Sequence, residues 1–254
     1  MKKTPKSAIP PALNTYIAAN PNNTWEKFTE RKGRRKAVQA VLKTDQSGLC
    51  AYCEINMKAK DASGDADFRV EHFHPKSDLS TPPNWNLDWH NLLAVCHGGS
   101  SKTVVEAATR FTTLHSCDVP KADNIWDTVI LNPLNLPAYP ALFKFDRSTG
   151  SMTINEPNCA QATIDPLKAQ ATVDNLQLDG SRLRNLRKPV MEVLNAKLIA
   201  LVNSGVPLID ARQTLAQTLL KKDAQQHWPP FFSAIRHYLG NAAEQQLHAI
   251  AYDG

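Results

Sequence analysis

The chain has 254 residues and a formal charge of +5, from 29 Lys and Arg against 24 Asp and Glu. Hydrophobic residues make up 42% of it, enough for one large domain or a small functional module with a helical extension. The mild positive excess admits a nucleic-acid partner without demanding one. No run of about 18 apolar residues exists, which argues against a membrane span, and the opening MKKTPKSAIPPALNTYI lacks the continuous apolar stretch of a signal peptide. The expectation is a cytoplasmic protein, in which thiols stay reduced and clustered cysteines favour metal over disulfide. Its five cysteines also leave one over from any pairing scheme.

Taken in chain order, residues 1–23 are rich in Pro and Asn and read as an extended arm. Thr24 is placed to cap a helix from Trp25 to about Lys43, with Trp25, Phe28, Val38, Val41 and Leu42 as its apolar side. Within it, ERKGRRKAV sets five basic residues around Gly33, as either a solvated face or a phosphate-contacting one. Residues 48–126 hold most of the Cys and His, with the β-like runs FRVEHF and NLLAVC. The connector 127–159 contains LFKFDRSTGSMTI, two alternating segments around a Ser-Thr-Gly turn, which predicts a hairpin. From about residue 160 to 254 the pattern is helical, so the fold class is α+β and mostly helical. Leu183, Leu186, Val190, Leu194 and Leu198 recur at helical spacing between Ser181 and Gly205, and Pro189 should kink that helix or mark its first turn. Arg182, Arg184, Arg187 and Lys188 make a basic cluster on it, a solvated face or a nucleic-acid groove.

The chemistry gathers in residues 48–126. Cys50 and Cys53 form a C-x-x-C turn that puts two thiolates on one side of a tight loop, which suits tetrahedral zinc. Cys96 and Cys117 can supply the other two ligands, with His97 as an alternative to Cys117, while Cys159 reads as a bystander. A four-thiolate zinc is closed and serves as a structural staple, so catalysis needs other groups. The stretch RVEHFHPKSDL offers them: Glu71 as an oxygen ligand for Mg²⁺ and His72 as a base toward water. These two alternate across a strand and reach one centre only if the strand bends, which Pro75 makes plausible. Asp118 supplies a second carboxylate if a helix starts there. His74 and Lys76 are candidate phosphate contacts, as is Lys121.

The string C-x-x-C, E-H-x-x-P-K-S, N-L-L-x-x-C and C-D-x-x-K resembles the zinc-stapled HNH endonucleases of ββα-metal fold. With LNPLNLPAYPALFKFDRSTG added, residues 24–190 resemble more closely the HNH subunit of Septu-type antiphage systems, the PtuB-like family, which includes versions encoded beside retrons. The resemblance implies His72 as general base, Glu71 as the metal-binding acid before it, and Asn91 as the residue that pins the loop. It implies Asp118 as the second ligand of a catalytic Mg²⁺ or Mn²⁺, where relatives carry Asn or His on a helix. The ordinary second C-x-x-C is missing, since Gly99 stands where its second Cys would be and Cys117 takes that place after an insertion. The implied partners are nucleic acid, a PtuA-like ATPase that restrains the nuclease, and a reverse transcriptase with its RNA–DNA hybrid. The N-terminal helix and the helices after residue 160 are the expected docking elements for the ATPase. DNA is favoured over RNA by family habit alone. A noncatalytic zinc adaptor would keep the cysteines without needing Glu71, His72 and Asn91 in this order.

Overall fold

The structure, a computed structural model, describes residues 1–57, 66–80, 82–101 and 114–254; the insertion between His97 and Cys117 lies largely outside them. The N-terminal segment is not an extended arm. Pro11 occupies the first turn of helix α1 (Pro11–Ala19), where a missing N–H costs nothing, and Leu13 and Tyr16 bury one side of it. Thr24 caps the next helix, its hydroxyl accepting from the Lys27 N–H at 3.3 Å.

That helix is short. The expected single helix is two, α2 (Trp25–Thr29) and α3 (Lys32–Asp45), with Arg31 extended between them. On one continuous helix the buried pair Trp25 and Phe28 would sit roughly 90° around the axis from the buried pair Val38 and Leu42. The break resets the phase, so α2 packs on Tyr16 and His72 while α3 packs on the sheet.

Strands β1 (Arg69–His72) and β2 (Leu92–Val95) pair antiparallel, with Glu71 opposite Leu93 and His72 opposite Leu92. A short 3₁₀ turn, Trp89–Asn91, leads into β2. The free edge of β2 is closed by α3: Gln46 accepts from the Ala94 N–H at 2.7 Å and donates to the Ala94 carbonyl at 2.7 Å. Closing that edge leaves no bare ladder on β2 at this point. The predicted hairpin is present as β3 (Phe143–Phe145) and β4 (Met152–Ile154).

Helices α4 (Glu156–Gln161), α5 (Pro166–Asn175), α6 (Ser181–Asn203), α7 (Leu208–Leu219), α8 (Phe232–Leu239) and α9 (Asn241–Ala249) follow. α6 runs through Pro189 from Ser181, so Pro189 is not its first turn. One continuous apolar core joins α1–α3, the β1–β2 hairpin, the β3–β4 hairpin, α5 and the first half of α6. A second core, from Leu194 to Tyr252, gathers the last helices around Leu49. The two are bolted together at Glu54, which accepts from the Ser233 backbone N–H at 2.8 Å and from its hydroxyl at 2.5 Å. The C-terminal helices therefore complete the fold around the Cys50–Cys53 loop.

Replacing Gln46 with Ala strands the buried Ala94 N–H and the Leu49 carbonyl, while the Ala94 carbonyl keeps the Ala51 N–H at 3.1 Å. The expected loss is about 2–4 kcal/mol in urea unfolding. A loss below about 0.5 kcal/mol would show that α3 is not clamped to the sheet.

Candidate functional site

The sulfurs of Cys50, Cys53, Cys96 and Cys117 all lie within 4.8 Å of one another, and all four residues are buried. Individual separations are 3.9 Å for Cys50–Cys117, 3.6 Å for Cys53–Cys96 and 3.6 Å for Cys96–Cys117. Sulfurs about 2.3 Å from a tetrahedral zinc stand about 3.8 Å apart, so this donor set fits a structural metal such as zinc. Backbone N–H groups point at the sulfurs: Cys96 donates to Cys50 Sγ at 3.3 Å and Gly98 to Cys96 Sγ at 3.4 Å. Gly98 has φ +60°, and a Cβ there would lie 2.2 Å from the Ser116 carbonyl oxygen. The chain returning with Cys117 passes too close for any side chain at that position. Cys117 itself sits at φ +64°, a conformation costing about 1–3 kcal/mol that the cluster must offset. His97 is not among the converging groups and Cys159 lies apart on α4, its thiol directed to the Leu142 carbonyl.

β1 carries the acid and the histidine away from each other. Its ladder continues past His72, since the Phe73 N–H donates to the Asn91 carbonyl at 2.9 Å, so no bend brings Glu71 and His72 to one face. Glu71 faces inward, 3.0 Å from Lys121 Nζ, and Lys121 is 1% exposed. Asp118 Oδ1 accepts from Arg69 at 2.9 Å, and its Oδ2 lies 2.6 Å from Arg69 Nε as an ion pair. Burial first, and the facing carboxylate as a further cause, push Glu71 up to about 7, and burial raises Asp118 to about 6. The two carboxylates are already matched by cations, buried Lys121 and half-buried Arg69, and among the described residues no third His, Cys, Asp or Glu converges on them. The pair as it stands does not fit a divalent ion. Asp118 lies in a run of turns, so the helix expected to start there is not found. Lys121 has its ammonium on Glu71 and the His72 carbonyl, at 3.2 Å for the latter, which removes it from any phosphate in solvent.

His72 is buried with its ring edge-on to Trp25 at 5.3 Å and its Nε2 3.1 Å from the Asn86 carbonyl. Burial depresses it to about 4, so the ring is neutral near pH 7. Asn91 clamps the loop, but at His74: its Oδ1 accepts from the His74 N–H at 2.7 Å and its Nδ2 donates to the His74 carbonyl at 2.9 Å. The His74 ring lies between two carboxylates, Asp127 on Nδ1 at 2.8 Å and Asp78 on Nε2 at 2.9 Å, and stacks on Trp85 at 4.1 Å. His74, Asp127 and Asn91 line an open cavity of about 830 Å³, along with Lys6, His90 and Lys168. Lys76 pairs with Glu26 of α2.

No family model matches the chain. It is 35% identical over 210 residues to a protein of Escherichia coli named as the candidate HNH endonuclease of retron Ec83, covering 75% of this chain and 79% of the relative. The chain belongs to the retron HNH endonuclease family. A second relative, the candidate HNH endonuclease of retron Vc95 from Vibrio cholerae, is 28% identical over 166 residues, 62% of this chain and 71% of that one.

Within this retron HNH chain, the sequence-predicted groups fall into three places. The cysteines converge. Glu71, Asp118 and Lys121 share one buried ionic cluster with Arg69, and His72 points away from it into the α2 contact. Asn91 and His74 meet at the cavity. Sequence reasoning missed Arg69, whose place two residues before Glu71 on the same strand face could have shown it. It also missed Asp127 and Trp85, which reach His74 through tertiary folding and leave no local signal. The basic cluster of α6 is divided, with Arg182 and Arg187 buried and Arg184 and Lys188 facing solvent. Arg187 is 2% exposed and donates to the Gly150 and Leu178 carbonyls, Arg182 is buried on Ser116, Arg184 pairs with Asp179, and Lys188 lies 3.7 Å from Glu192.

Elemental analysis of the purified chain should find about one zinc per molecule. Cys50→Ser or Cys53→Ser should lose the metal together with solubility or cooperative unfolding. A soluble, metal-free, native-like Cys50→Ser chain contradicts a structural role.

Proposed function

We propose that this chain is the nuclease effector of a Septu-type, retron-linked antiviral system, hydrolysing phosphodiester bonds of nucleic acid, with DNA the favoured substrate. The supporting observation is that the β1–β2 hairpin bearing Glu71, His72 and Asn91 is anchored through Cys96 to the four-cysteine cluster and borders an open cavity. A noncatalytic adaptor would need the cluster alone. The family resemblance implies a catalytic Mg²⁺ or Mn²⁺, a PtuA-like ATPase as the restraining partner, and a reverse transcriptase with its RNA–DNA hybrid.

The chain's own residues supply proton transfer and positioning. By motif, His72 takes the proton of the attacking water; with Nε2–H donated to the Asn86 carbonyl, the nitrogen that accepts is Nδ1, and the Asn86 carbonyl holds the resulting imidazolium. Asn91 holds the loop by both backbone polar groups of His74. A second reading rests on that clamp. His74, not His72, faces the cavity, and Asp127 on Nδ1 orients its ring and would stabilise the imidazolium formed on proton uptake. For that, Nε2 would leave its shared proton on Asp78 and exchange this carboxylate for the attacking water.

The two readings separate by mutation, with Mg²⁺ present and with plasmid DNA and total RNA as substrates. His72→Ala should lower cleavage by about 10²–10⁴-fold while zinc content and fold persist. Near-normal cleavage by His72→Ala with loss in His74→Ala moves the base to His74. No cleavage of DNA or RNA by the wild-type chain, alone or with its partners, contradicts the nuclease proposal.

A further inference from the structure

We propose that the basic start of α3 is the surface on which this chain grips the phosphate backbone of its nucleic-acid substrate. The inference deepens the nuclease reading and rests on it. Between Arg31 and Lys36 the sequence places five cations and no acid. Arg34 is half-buried and has a structural task, its guanidinium lying 4.6 Å over the Tyr16 ring and 5.9 Å from Phe28. The other four, Arg31, Lys32, Arg35 and Lys36, are exposed, and among the described residues their side chains have no ion pair or hydrogen bond.

This arrangement opposes the local physics of a helix. Lys32 and Lys36 set like charges one helical turn apart, where they repel, and Arg31 and Arg35 add two more cations beside them. The first turn of α3 contains no acidic residue, although the helix dipole favours negative charge there. Elsewhere the chain neutralises its clustered cations: the four on α6 are all spent on carbonyls, a hydroxyl and carboxylates. The α3 cluster is the dense cationic patch among the described residues left without counter-charge. Lys32, Lys36 and Lys43 also fall within about 40° of one another around the axis and span roughly 16 Å along it. A rod of regularly spaced anionic charge, such as a duplex with one phosphate charge per about 1.7 Å, matches such a stripe.

A second observation ties the patch to the proposed chemistry. α3 is hydrogen-bonded to both strands of the motif-bearing hairpin region. Gln39 Nε2 donates to the Phe68 carbonyl at 3.2 Å just before β1, and Gln46 brackets Ala94 in β2. A backbone held on α3 is thereby held at a fixed distance from β1 and its histidines. The hairpin and the basic stripe are thus joined at two points of α3.

The test uses the full-length chain with Arg31, Lys32, Arg35 and Lys36 all changed to Gln, leaving Arg34 in place. Binding to a fluorescent duplex of about 30 base pairs is followed by anisotropy with neither added divalent ions nor a chelator, so that the structural zinc stays bound, between about 50 and 200 mM salt. Duplex DNA, duplex RNA and poly-glutamate serve as separate probes. The quadruple variant should keep the wild-type melting temperature and zinc content, bind the duplex at least about tenfold more weakly, and lower the slope of log K against log salt by about 3. Weakening on DNA but not RNA, or the reverse, identifies which backbone the surface takes. Unchanged affinity and slope on both duplexes overturn the proposal, as does wild-type binding to poly-glutamate as tight as to either duplex, which would make the patch a site for acidic protein. Because the readout is binding without turnover, a chain that binds in this way yet cleaves nothing would refute the nuclease reading and leave the grip standing.

Discussion

Four thiol sulfurs, two from the Cys50–Cys53 turn, one from the end of β2 and one from Cys117, meet in a buried cluster. Sequence separations of 67 residues for Cys50–Cys117 and 43 for Cys53–Cys96 make these closures costly in chain entropy. Four sulfurs at this spacing repay that cost only if something binds them jointly, and a tetrahedral metal does so. Everything near the motif hangs from this point. β2 is fixed through Cys96, and Cys117 brings Asp118 and Lys121 against the face of β1 that carries Glu71. Even the C-terminal helices engage it, through Ser233 on Glu54, the residue after Cys53.

The hairpin then distributes its side chains by the pleat. Residues on one face, Arg69 and Glu71, enter a buried ionic cluster beside the cysteines, where two carboxylates are balanced by an arginine and a lysine. His72 on the other face enters the aromatic contact with Trp25. Past the strand end the chain is free of the pleat, and His74 reaches the cavity with its backbone held by Asn91. The consequence is a division of labour along six residues: charge buried on one side, a neutral imidazole on the other, and an oriented histidine at the opening.

Much of this was legible in residue types and spacing. The C-x-x-C turn, the Thr24 cap, both strands of the motif hairpin and the β3–β4 hairpin follow from local chemistry that tertiary packing did not override. The four cysteines converge because thiolate donors at these positions have one good joint use. What the sequence hid depends on long-range partners. The break at Arg31 exists because two apolar stripes must meet different surfaces. The inward turn of Lys121, Arg182 and Arg187 follows from an acid, a hydroxyl and carbonyls that lie apart from them in the chain. The difference between His72 and His74 is set by Trp25, Asn86 and Asp127, none of which announces itself beside the motif.

The central claim is that a four-sulfur metal site organises the motif, and X-ray absorption at the zinc edge of the purified chain tests it most directly. The account predicts a first shell of four sulfurs at about 2.3 Å with no lighter ligand. A shell containing a histidine nitrogen or a water oxygen, or no bound zinc at all, would contradict it.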